Sequence, residues 1–304
     1  MVSSVKAAKS GNAKYYRLAG IDICLLSDLP FSERTFHPKF REFESVKPAR
    51  GEMVLIKHHF SLPLLDPGSL GTEVYNAPPW VVYRSKDRLV YKCVSREGTK
   101  ERIHNLVLSD ICRSRFDIYH ADKNAYLRGG AYSLTLLPSD QILLAGVLSS
   151  RRACYIHACG IIYANEGLLF AGHSGAGKTT LARMFSKHGG QVLCDDRIVV
   201  RRLGGKFRIY GTWNNGELQR VSRRDAILKG IFFLRKAGVN RIIRIENKKE
   251  TFKRLSACLI KSLQTVSWWE NTLPLLEQIT RTVPAYVLEF DKKGKVVELF
   301  ESSR

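Results

Sequence analysis

The sequence predicts an α/β protein with α+β character, in which a strand-rich N-terminal domain precedes a phosphate-loop domain with a mixed sheet. Short runs of β-branched and aromatic residues, separated by turn residues, fill most of the first 135 residues. Further on, the apolar run 167–171 is followed by a glycine-rich turn and then by residues 180–187, whose apolar positions recur at helical spacing. Strand, glycine turn and helix in this order are typical of a site for nucleotide phosphates.

Composition is that of a globular protein with reduced thiols. The chain has 304 residues, 44% of them hydrophobic, which is enough for one large domain or two ordinary ones. No stretch approaches the roughly 20 apolar residues of a membrane span, and the N-terminus lacks the apolar core of a signal peptide. The seven cysteines are scattered and include no C-x-x-C pair, so neither a zinc site nor a disulfide framework is indicated. We therefore expect a cytoplasmic protein that does not bind a membrane.

The net charge of +21 is concentrated in the second half of the chain. Residues 151–304 contain 28 Lys and Arg against 13 Asp and Glu, a net charge of +15. A field of this sign favours an anionic partner, such as a nucleotide, an acidic peptide or a nucleic acid. A solvated basic surface with no partner explains the same composition equally well.

The predicted N-terminal domain covers residues 15–135 and follows a disordered lead-in at residues 1–14, which carry little apolar content. Residues 86–88 separate two aromatic and β-branched runs and predict a hairpin turn. The β-like runs in this domain include 16–25, 53–57, 80–83 and 88–93. They contain no catalytic constellation, so a scaffold or a substrate-docking region is the expectation here.

The second domain is predicted to cover residues 136–304 and to begin with a buried helix at 137–149, for which Pro138-Ser139-Asp140 is a plausible start. Runs at 154–163 and 168–171, with a turn at 165–167, predict a hairpin that leads into the phosphate loop. This order differs from that of ordinary nucleotide-binding α/β folds, in which the loop belongs to the first βα unit.

Residues 172–179 fit the pattern G-x-x-x-x-G-K-[ST] without a mismatch. Glycines allow the backbone to curl so that several N–H groups converge, and the following helix adds its positive N-terminal end. Lys178 is then expected to reach the β- and γ-phosphates of a nucleotide, and the Thr179 hydroxyl to ligate the magnesium ion that they carry. The predicted nucleotide-binding residues are Gly172, Ser174, Gly175, Ala176, Gly177, Lys178, Thr179 and Thr180.

Two adjacent carboxylates, Asp195 and Asp196, end the predicted strand 191–194. A magnesium ion takes carboxylate oxygens together with a threonine hydroxyl and phosphate oxygens. The second carboxylate is then free to accept a proton from an attacking hydroxyl. A turn that merely tolerates Asp-Asp is the alternative.

The remaining residues predict strands with helices packed on them. A loop at 211–217 precedes Arg220, Arg223 and Arg224, which would contact a transferring phosphate, an acidic tail of the acceptor or only solvent. The predicted elements are a hairpin of 198–202 and 206–210, strands at 231–234 and 241–245, helices at 250–263 and 272–279, and a closing hairpin of 284–290 and 295–300.

Taken together, His157, the loop 172–179 and the pair Asp195-Asp196 resemble the catalytic core of the HPr kinase/phosphorylase family. They also resemble, more distantly, the ATP-dependent phosphoenolpyruvate carboxykinases. Residues 211–240 are similar to the following part of HPr-kinase-like proteins, so the resemblance covers about residues 138–304.

The resemblance implies a mixed-sheet kinase domain with ATP and Mg²⁺ as cofactors. Lys178 would neutralise the nucleotide phosphates, Thr179 and Asp196 would hold magnesium, and Asp195 would take the proton from the acceptor. His157 would lie near the phosphates or the metal. The segment that HPr kinases use for the reverse, phosphorylase reaction has no match, nor do the pyruvate-recognition elements of a carboxykinase.

The expected function is an ATP-dependent kinase that phosphorylates a hydroxyl, a serine of a protein or of a ribosomally made peptide. Two alternatives stay open: a kinase of a small-molecule alcohol or of a nucleic-acid end, and a regulatory module that binds nucleotide without catalysis. The pair Trp268-Trp269 fits either a core or a subunit interface, so a homo-oligomer also stays open.

Overall fold

The computed structural model describes residues 11–47, 52–97, 100–214, 216–291 and 293–301. Most of the predicted lead-in, residues 1–10, lies outside these ranges, and a strand begins at Ala13. Two mixed sheets with helices form an α/β fold, which confirms the predicted class. The chain divides into two compact units, of which the first takes residues up to 150 together with Ser262–Ser267, and the second takes Arg151–Lys261 and the chain from Trp268 onward.

Unit 1 contains an eight-stranded sheet in the order β1-β2-β3-β8-β7-β6-β5-β4. Its β2–β3 and β3–β8 pairs are parallel and its other pairs are antiparallel. The elements are β1 (Ala13–Leu18), β2 (Ile21–Ser27), β3 (Met53–His59), β4 (Thr72–Ala77), β5 (Trp80–Arg84), β6 (Arg88–Glu97), β7 (Lys100–Asp110), β8 (Arg115–His120), α1 (Asn124–Arg128), α2 (Gln141–Ser149) and 3-10 helices at Pro38–Phe43 and Pro67–Ser69.

Two predicted details of unit 1 changed in the structure. The run 16–25 forms two strands, because Ala19 and Gly20 both take positive φ and turn the chain back into a hairpin. The helix predicted at 137–149 exists as α2, but it belongs to unit 1. It packs so closely there that a Cβ on Gly146 would lie 2.7 Å from the Arg113 Nε. The predicted hairpin turn at 86–88 is confirmed by the antiparallel pairing of β5 with β6.

Unit 2 contains the sheet β10-β9-β12-β13-β14-β16-β15, to which β11 is added through β9. A further parallel pairing of β10 with β14 closes a ring of five strands. The elements are β9 (Ala153–Tyr163), β10 (Glu166–Ala171), α3 (Lys178–Lys187), β11 (Gln191–Cys194), β12 (Arg197–Leu203), β13 (Lys206–Tyr210), β14 (Asp225–Lys236), β15 (Arg241–Arg244), α4 (Lys248–Ala257), α5 (Val266–Thr282), β16 (Ala285–Phe290), a 3-10 helix at Lys295–Val297 and α6 (Glu298–Glu301).

Strand β10 is buried on both faces after its first residue, which explains why residues 167–171 are apolar and do not alternate with polar ones. Leu168 and Phe170 pack in one core cluster with Phe185 of α3. Leu169 lies in a second cluster, which also contains Leu276 of α5. The hairpin predicted before the phosphate loop is confirmed by the antiparallel β9–β10 pair.

Two predictions for the C-terminal part were wrong. Residues 295–300 do not form a strand against 284–290, because Gly294, with φ +96°, starts a 3-10 helix that buries the consecutive residues Val296 and Val297 in the core. The helix predicted at 250–263 ends at Ala257, because the backbone that follows pairs with β9, where the Ile260 N–H donates to the Tyr155 carbonyl at 3.1 Å. The helix predicted at 272–279 is confirmed, but it covers only part of α5, which runs over 17 residues with Pro274 inside it.

The structure also describes the cysteines, the length of the helices and the environment of Trp268. All seven cysteines are free, and the side chain of each except Cys112 is at least partly buried, as predicted. Within the described ranges, no helix is both long and apolar enough to cross a bilayer. Trp268 is 3% exposed and belongs to the core of unit 2.

Candidate active site

The phosphate loop joins β10 to α3 and has the backbone conformation that its glycines predict. Gly175 and Gly177 adopt positive φ, +79° and +104°, which side-chain-bearing residues rarely adopt. A Cβ on Gly172 would lie 2.7 Å from the Ala176 Cβ, and one on Gly177 would lie 2.6 Å from the Phe290 ring. The chain can therefore make this turn only with glycine at Gly172 and Gly177.

Lys178, the first residue of α3, is 7% exposed and folds back over the loop. Its Nζ donates hydrogen bonds to the carbonyl oxygens of Gly172 at 2.9 Å and His173 at 3.1 Å. Burial lowers the pKa of this ammonium group, while the carboxylates Asp196 and Asp195 act in the opposite sense. A cation with only carbonyl partners at the mouth of a glycine loop is well placed to bind an anion.

Asp195 is 2% exposed, and its carboxylate is held by three donors of the protein. The Thr179 hydroxyl donates to Oδ2 at 3.1 Å, the Gly216 N–H donates to Oδ1 at 2.9 Å and the Leu218 N–H donates to Oδ2 at 3.2 Å. This carboxylate therefore connects the first turn of α3 to the loop at 216–218.

Asp196 has a different environment, although it is adjacent in sequence. Its Oδ1 lies 3.2 Å from the His157 Nε2 and its Oδ2 lies 3.0 Å from the Arg197 Nε. His157 and Arg197 are directly paired across β9 and β12, so the two strands place a neutral or cationic side chain on each side of the carboxylate. About a quarter of the Asp196 side chain is exposed.

In β9, His157 is the last residue that pairs with β12, and the residues after it pair with β10. Its N–H donates to the Cys258 carbonyl at 2.7 Å, just beyond α4. The pKa of the imidazole is lowered, chiefly by burial and then by Lys178, while Asp196 raises it. At neutral pH the ring is therefore uncharged and can accept or relay a proton.

A cavity of about 230 Å³ brings the predicted residues together. It is lined by His157, Ser174, Gly175, Gly177, Lys178, Thr179, Thr180, Asp195, Asp196, Gly216, Glu217 and Lys236. Gly172 and Ala176, also predicted for nucleotide binding, support the loop from behind and are not among the described lining residues. His173 is exposed, and its Nδ1 lies 2.6 Å from the Ser174 carbonyl oxygen.

Three arginines suggested by the sequence are not among the described residues that line this cavity. Arg220 donates to the Ser186 hydroxyl at 3.1 Å, and Arg224 donates to the Gln191 side chain at 2.8 Å. Arg223 is likewise not among the lining residues. These arginines are therefore not supported as contacts to a transferring phosphate.

Sequence reasoning missed Arg197, Glu217 and Lys236. Lys236 ends β14, which pairs in parallel with β10, so both strands carry their carboxyl ends to the loop. The carboxyl edge of a parallel pair is where such a residue is expected, but only once the pairing is known. Arg197 had a signal in the sequence, since it directly follows Asp196.

Comparisons with known proteins give remote structural similarities and no match in sequence. No protein-family model matches the sequence, and no curated protein matches it. Among solved structures, the chain is similar to the HPr(Ser) kinase/phosphatase from Coxiella burnetii, with 13% identity and a TM-score of 0.28 over 49% of this chain and 97% of that chain. A TM-score of this size establishes no shared fold, so function has to be inferred from the contacts of the site itself.

Proposed function

We propose that this protein is an ATP-dependent kinase that transfers the γ-phosphate to a hydroxyl, a serine of a protein or of a ribosomally made peptide. The observation that carries the proposal is the single cavity in which the glycine loop, Lys178, Thr179, both aspartates and His157 meet. Phosphoryl transfer requires positioning, charge neutralisation and one proton acceptor, and these groups supply all three.

The residues fit a nucleotide with its magnesium ion. The left-handed glycines leave open space in front of the loop, where a Cβ on Gly175 would meet nothing within 4 Å. Lys178 and the N-terminus of α3 offer positive charge to phosphate oxygens. Thr179 and a neighbouring carboxylate offer the hard oxygen ligands that Mg²⁺ takes, and bound Mg²⁺ would neutralise charge on the phosphates.

Contacts of the two aspartates favour a division of roles opposite to the one that the resemblance implies. Asp195 bonds to the Thr179 hydroxyl and is otherwise occupied by backbone N–H groups, so it is suited to the metal side of the site. Asp196 faces the cavity beside a neutral imidazole, so it is suited to accept the acceptor's proton with His157 as its neighbour. Arg197 would orient the Asp196 carboxylate.

Transfer of label from [γ-³²P]ATP with Mg²⁺ to serine peptides, small alcohols and oligonucleotides tests the proposal. We expect transfer to a serine peptide, and we expect Asp196→Asn to lower kcat about 10²-fold or more while ATP still binds. In Asp195→Asn we expect the Mg²⁺ concentration for half-maximal rate to rise, because the amide is a poorer magnesium ligand.

Matched outcomes decide between the alternatives. If Asp195→Asn removes transfer at saturating Mg²⁺ and Asp196→Asn shifts the Mg²⁺ dependence, the roles are those that the resemblance implies. If the wild-type chain binds ATP but labels no acceptor of any class, the site is a nucleotide-binding regulatory module. Labelling of a small alcohol or of a nucleic-acid end in preference to peptides would replace the peptide acceptor.

A further inference from the structure

A groove of about 540 Å³ lies on unit 2, away from the nucleotide cavity, between the first half of α4 and the second half of α5. The lining from α4 includes Lys248, Lys249 and Phe252, and that from α5 includes Leu273, Pro274 and Arg281. Its residues do not overlap with those of the candidate active site. Neither the motifs in the sequence nor the proposed transfer chemistry uses it.

The floor of the groove is apolar. Phe252 packs against the core cluster of unit 2 and presents its remaining surface to the groove. Leu273 is 40% exposed on the opposite wall, next to Pro274 in the same helix. An apolar floor with a polar rim is typical of a surface that receives side chains from a protein partner.

The rim is basic. Lys248 and Lys249 have no ion-pair partner among the described residues, and both are exposed. Arg281 is paired with Glu277 at 2.5 Å, and Glu277 is the only acidic side chain among the described lining residues. The surplus charge is therefore positive and carried by two free ammonium groups, which complements acidic side chains.

Helix α4 links the groove to the candidate active site. Its last residue, Ala257, is followed by Cys258, whose carbonyl accepts the His157 N–H. Ten helical residues rise about 15 Å, so Lys248 and Lys249 lie roughly that far from the strand that carries His157. An extended chain spans this distance in about four to five residues.

We infer that this groove docks an acidic, amphipathic segment of the kinase's protein or peptide substrate, about five residues from the serine that is phosphorylated. The inference rests on the proposed function for its acceptor. Apolar side chains of the segment occupy the floor near Phe252 and Leu273, and its carboxylates pair with Lys248 and Lys249. A nucleic acid would leave the apolar floor unused, so the groove favours a protein segment.

Binding is measured first, without ATP, by fluorescence anisotropy of a labelled twelve-residue peptide that alternates Glu with Leu, and of the same peptide with Lys in place of Glu. We expect the acidic peptide to bind at least tenfold more tightly to the wild type than to Lys248→Glu/Lys249→Glu. The matched control, Lys187→Glu/Lys206→Glu, makes the same change in net charge on other exposed lysines and should bind within about twofold of the wild type.

Equal loss of affinity in both double variants would overturn the groove as the docking site, because peptide binding would then depend on the net charge of the protein alone. Stronger binding to the basic peptide, to anionic lipid vesicles or to an oligonucleotide would overturn the acidic segment as its occupant. Circular dichroism of each variant checks that α4 and α5 are retained, and Phe252→Ala, which leaves all charges in place, provides a second variant for the same binding assay.

Transfer is measured second, with peptides that carry one serine and the acidic segment separated by one, five or twelve residues. We expect the KM of the peptide with the five-residue spacer to be at least tenfold lower than that of the peptides with one or twelve residues, with kcat unchanged. In Lys248→Glu/Lys249→Glu we expect this difference in KM to disappear. Peptide binding without transfer to any acceptor would remove the kinase proposal and leave the groove. Transfer with a KM that is independent of segment and spacer would remove the groove and leave the kinase.

Discussion

A fully buried histidine of unit 1 and a partly buried histidine of unit 2 have different surroundings. In unit 1, His58 is fully buried, with its Nε2 3.0 Å from the Leu134 carbonyl oxygen and its Nδ1 3.1 Å from the His120 Nε2. In unit 2, His157 borders the candidate active-site cavity and has Asp196 beside it. Burial lowers the pKa in each case, so the chemical role proposed for His157 rests on its access to a cavity and on its charged neighbour and not on the lowered pKa.

The pair in unit 1 forms a directed chain of hydrogen bonds. Because the Leu134 carbonyl can only accept, His58 must donate from Nε2 and accept at Nδ1 from His120. The His120 Nδ1 then accepts from the Asn105 amide at 2.9 Å. Both rings are neutral in this arrangement, with tautomers that follow from the partners.

The largest expected effect comes from removing the positive charge of Lys178 from the candidate active site of unit 2. In Lys178→Ala we expect phosphoryl transfer to fall about 10³-fold or more, because the loop loses the charge that neutralises the nucleotide phosphates. Label transfer and ATP binding measure the effect, and amide hydrogen exchange of β3 and β8 should not change. Retention of more than a tenth of the transfer activity would mean that Lys178 does not neutralise the transferring phosphate.

Acidification should destabilise unit 1 through the buried pair His58 and His120. Burial lowers the pKa of His58 to about 3 and that of His120 to about 4, against 6.5 in an unfolded chain. The unfolded state therefore binds more protons below pH 6.5, and the stability that the neutral pair provides is lost as the pH falls from 6.5 toward 4. Between pH 7.5 and 5, each histidine costs unit 1 about 2 kcal/mol in free energy of unfolding.

Hydrogen exchange, corrected for the intrinsic rates at each pH, measures this loss strand by strand. Protection of β3 and β8 should fall more than that of β9 and β10. The pKa of His59 is raised, chiefly by its bond to Asp117, so His59 opposes the loss and the net change is smaller than the pair alone would give. Unchanged protection of β3 at pH 5 would contradict a neutral buried pair.

The sequence predicts unit 2 better than unit 1, and the reason is physical. The phosphate loop depends on local requirements, since Gly177 must adopt positive φ and Lys178 must follow it, and such requirements are visible in sequence. The His58–His120 contact joins residues 62 positions apart on strands whose pairing no local pattern specifies. Sequence reasoning therefore did not identify it.

Asp195 and Asp196 also show that contacts made by the folded chain cannot be predicted from local sequence. The sequence predicts that both aspartates are functional, but the role proposed for each depends on tertiary partners, since Asp195 is held by the backbone at 216–218 and Asp196 by His157. Residues 295–300 were mistaken for a strand because Val296 and Val297 bury consecutive side chains in a core that the sequence alone does not locate. Lys236 depended on the β10–β14 pairing.

The smallest expected effect compares two histidines of unit 2, His157 on β9 and His173 within the phosphate loop. His157→Gln keeps a polar side chain but removes the neutral imidazole beside Asp196, so we expect kcat to fall about tenfold, which is less than for loss of the group that itself accepts the proton. His173→Gln should leave kcat and KM within about twofold, because this side chain is exposed and its hydrogen bond is to the neighbouring Ser174 carbonyl. Initial rates from pH 5.5 to 8.5 measure both, and the lowered pKa of His157 predicts that the wild-type rate falls only below pH 6.5. If His173→Gln had the larger effect, the imidazole that matters would be the exposed one, and the contrast between closed and open histidines would no longer identify the site.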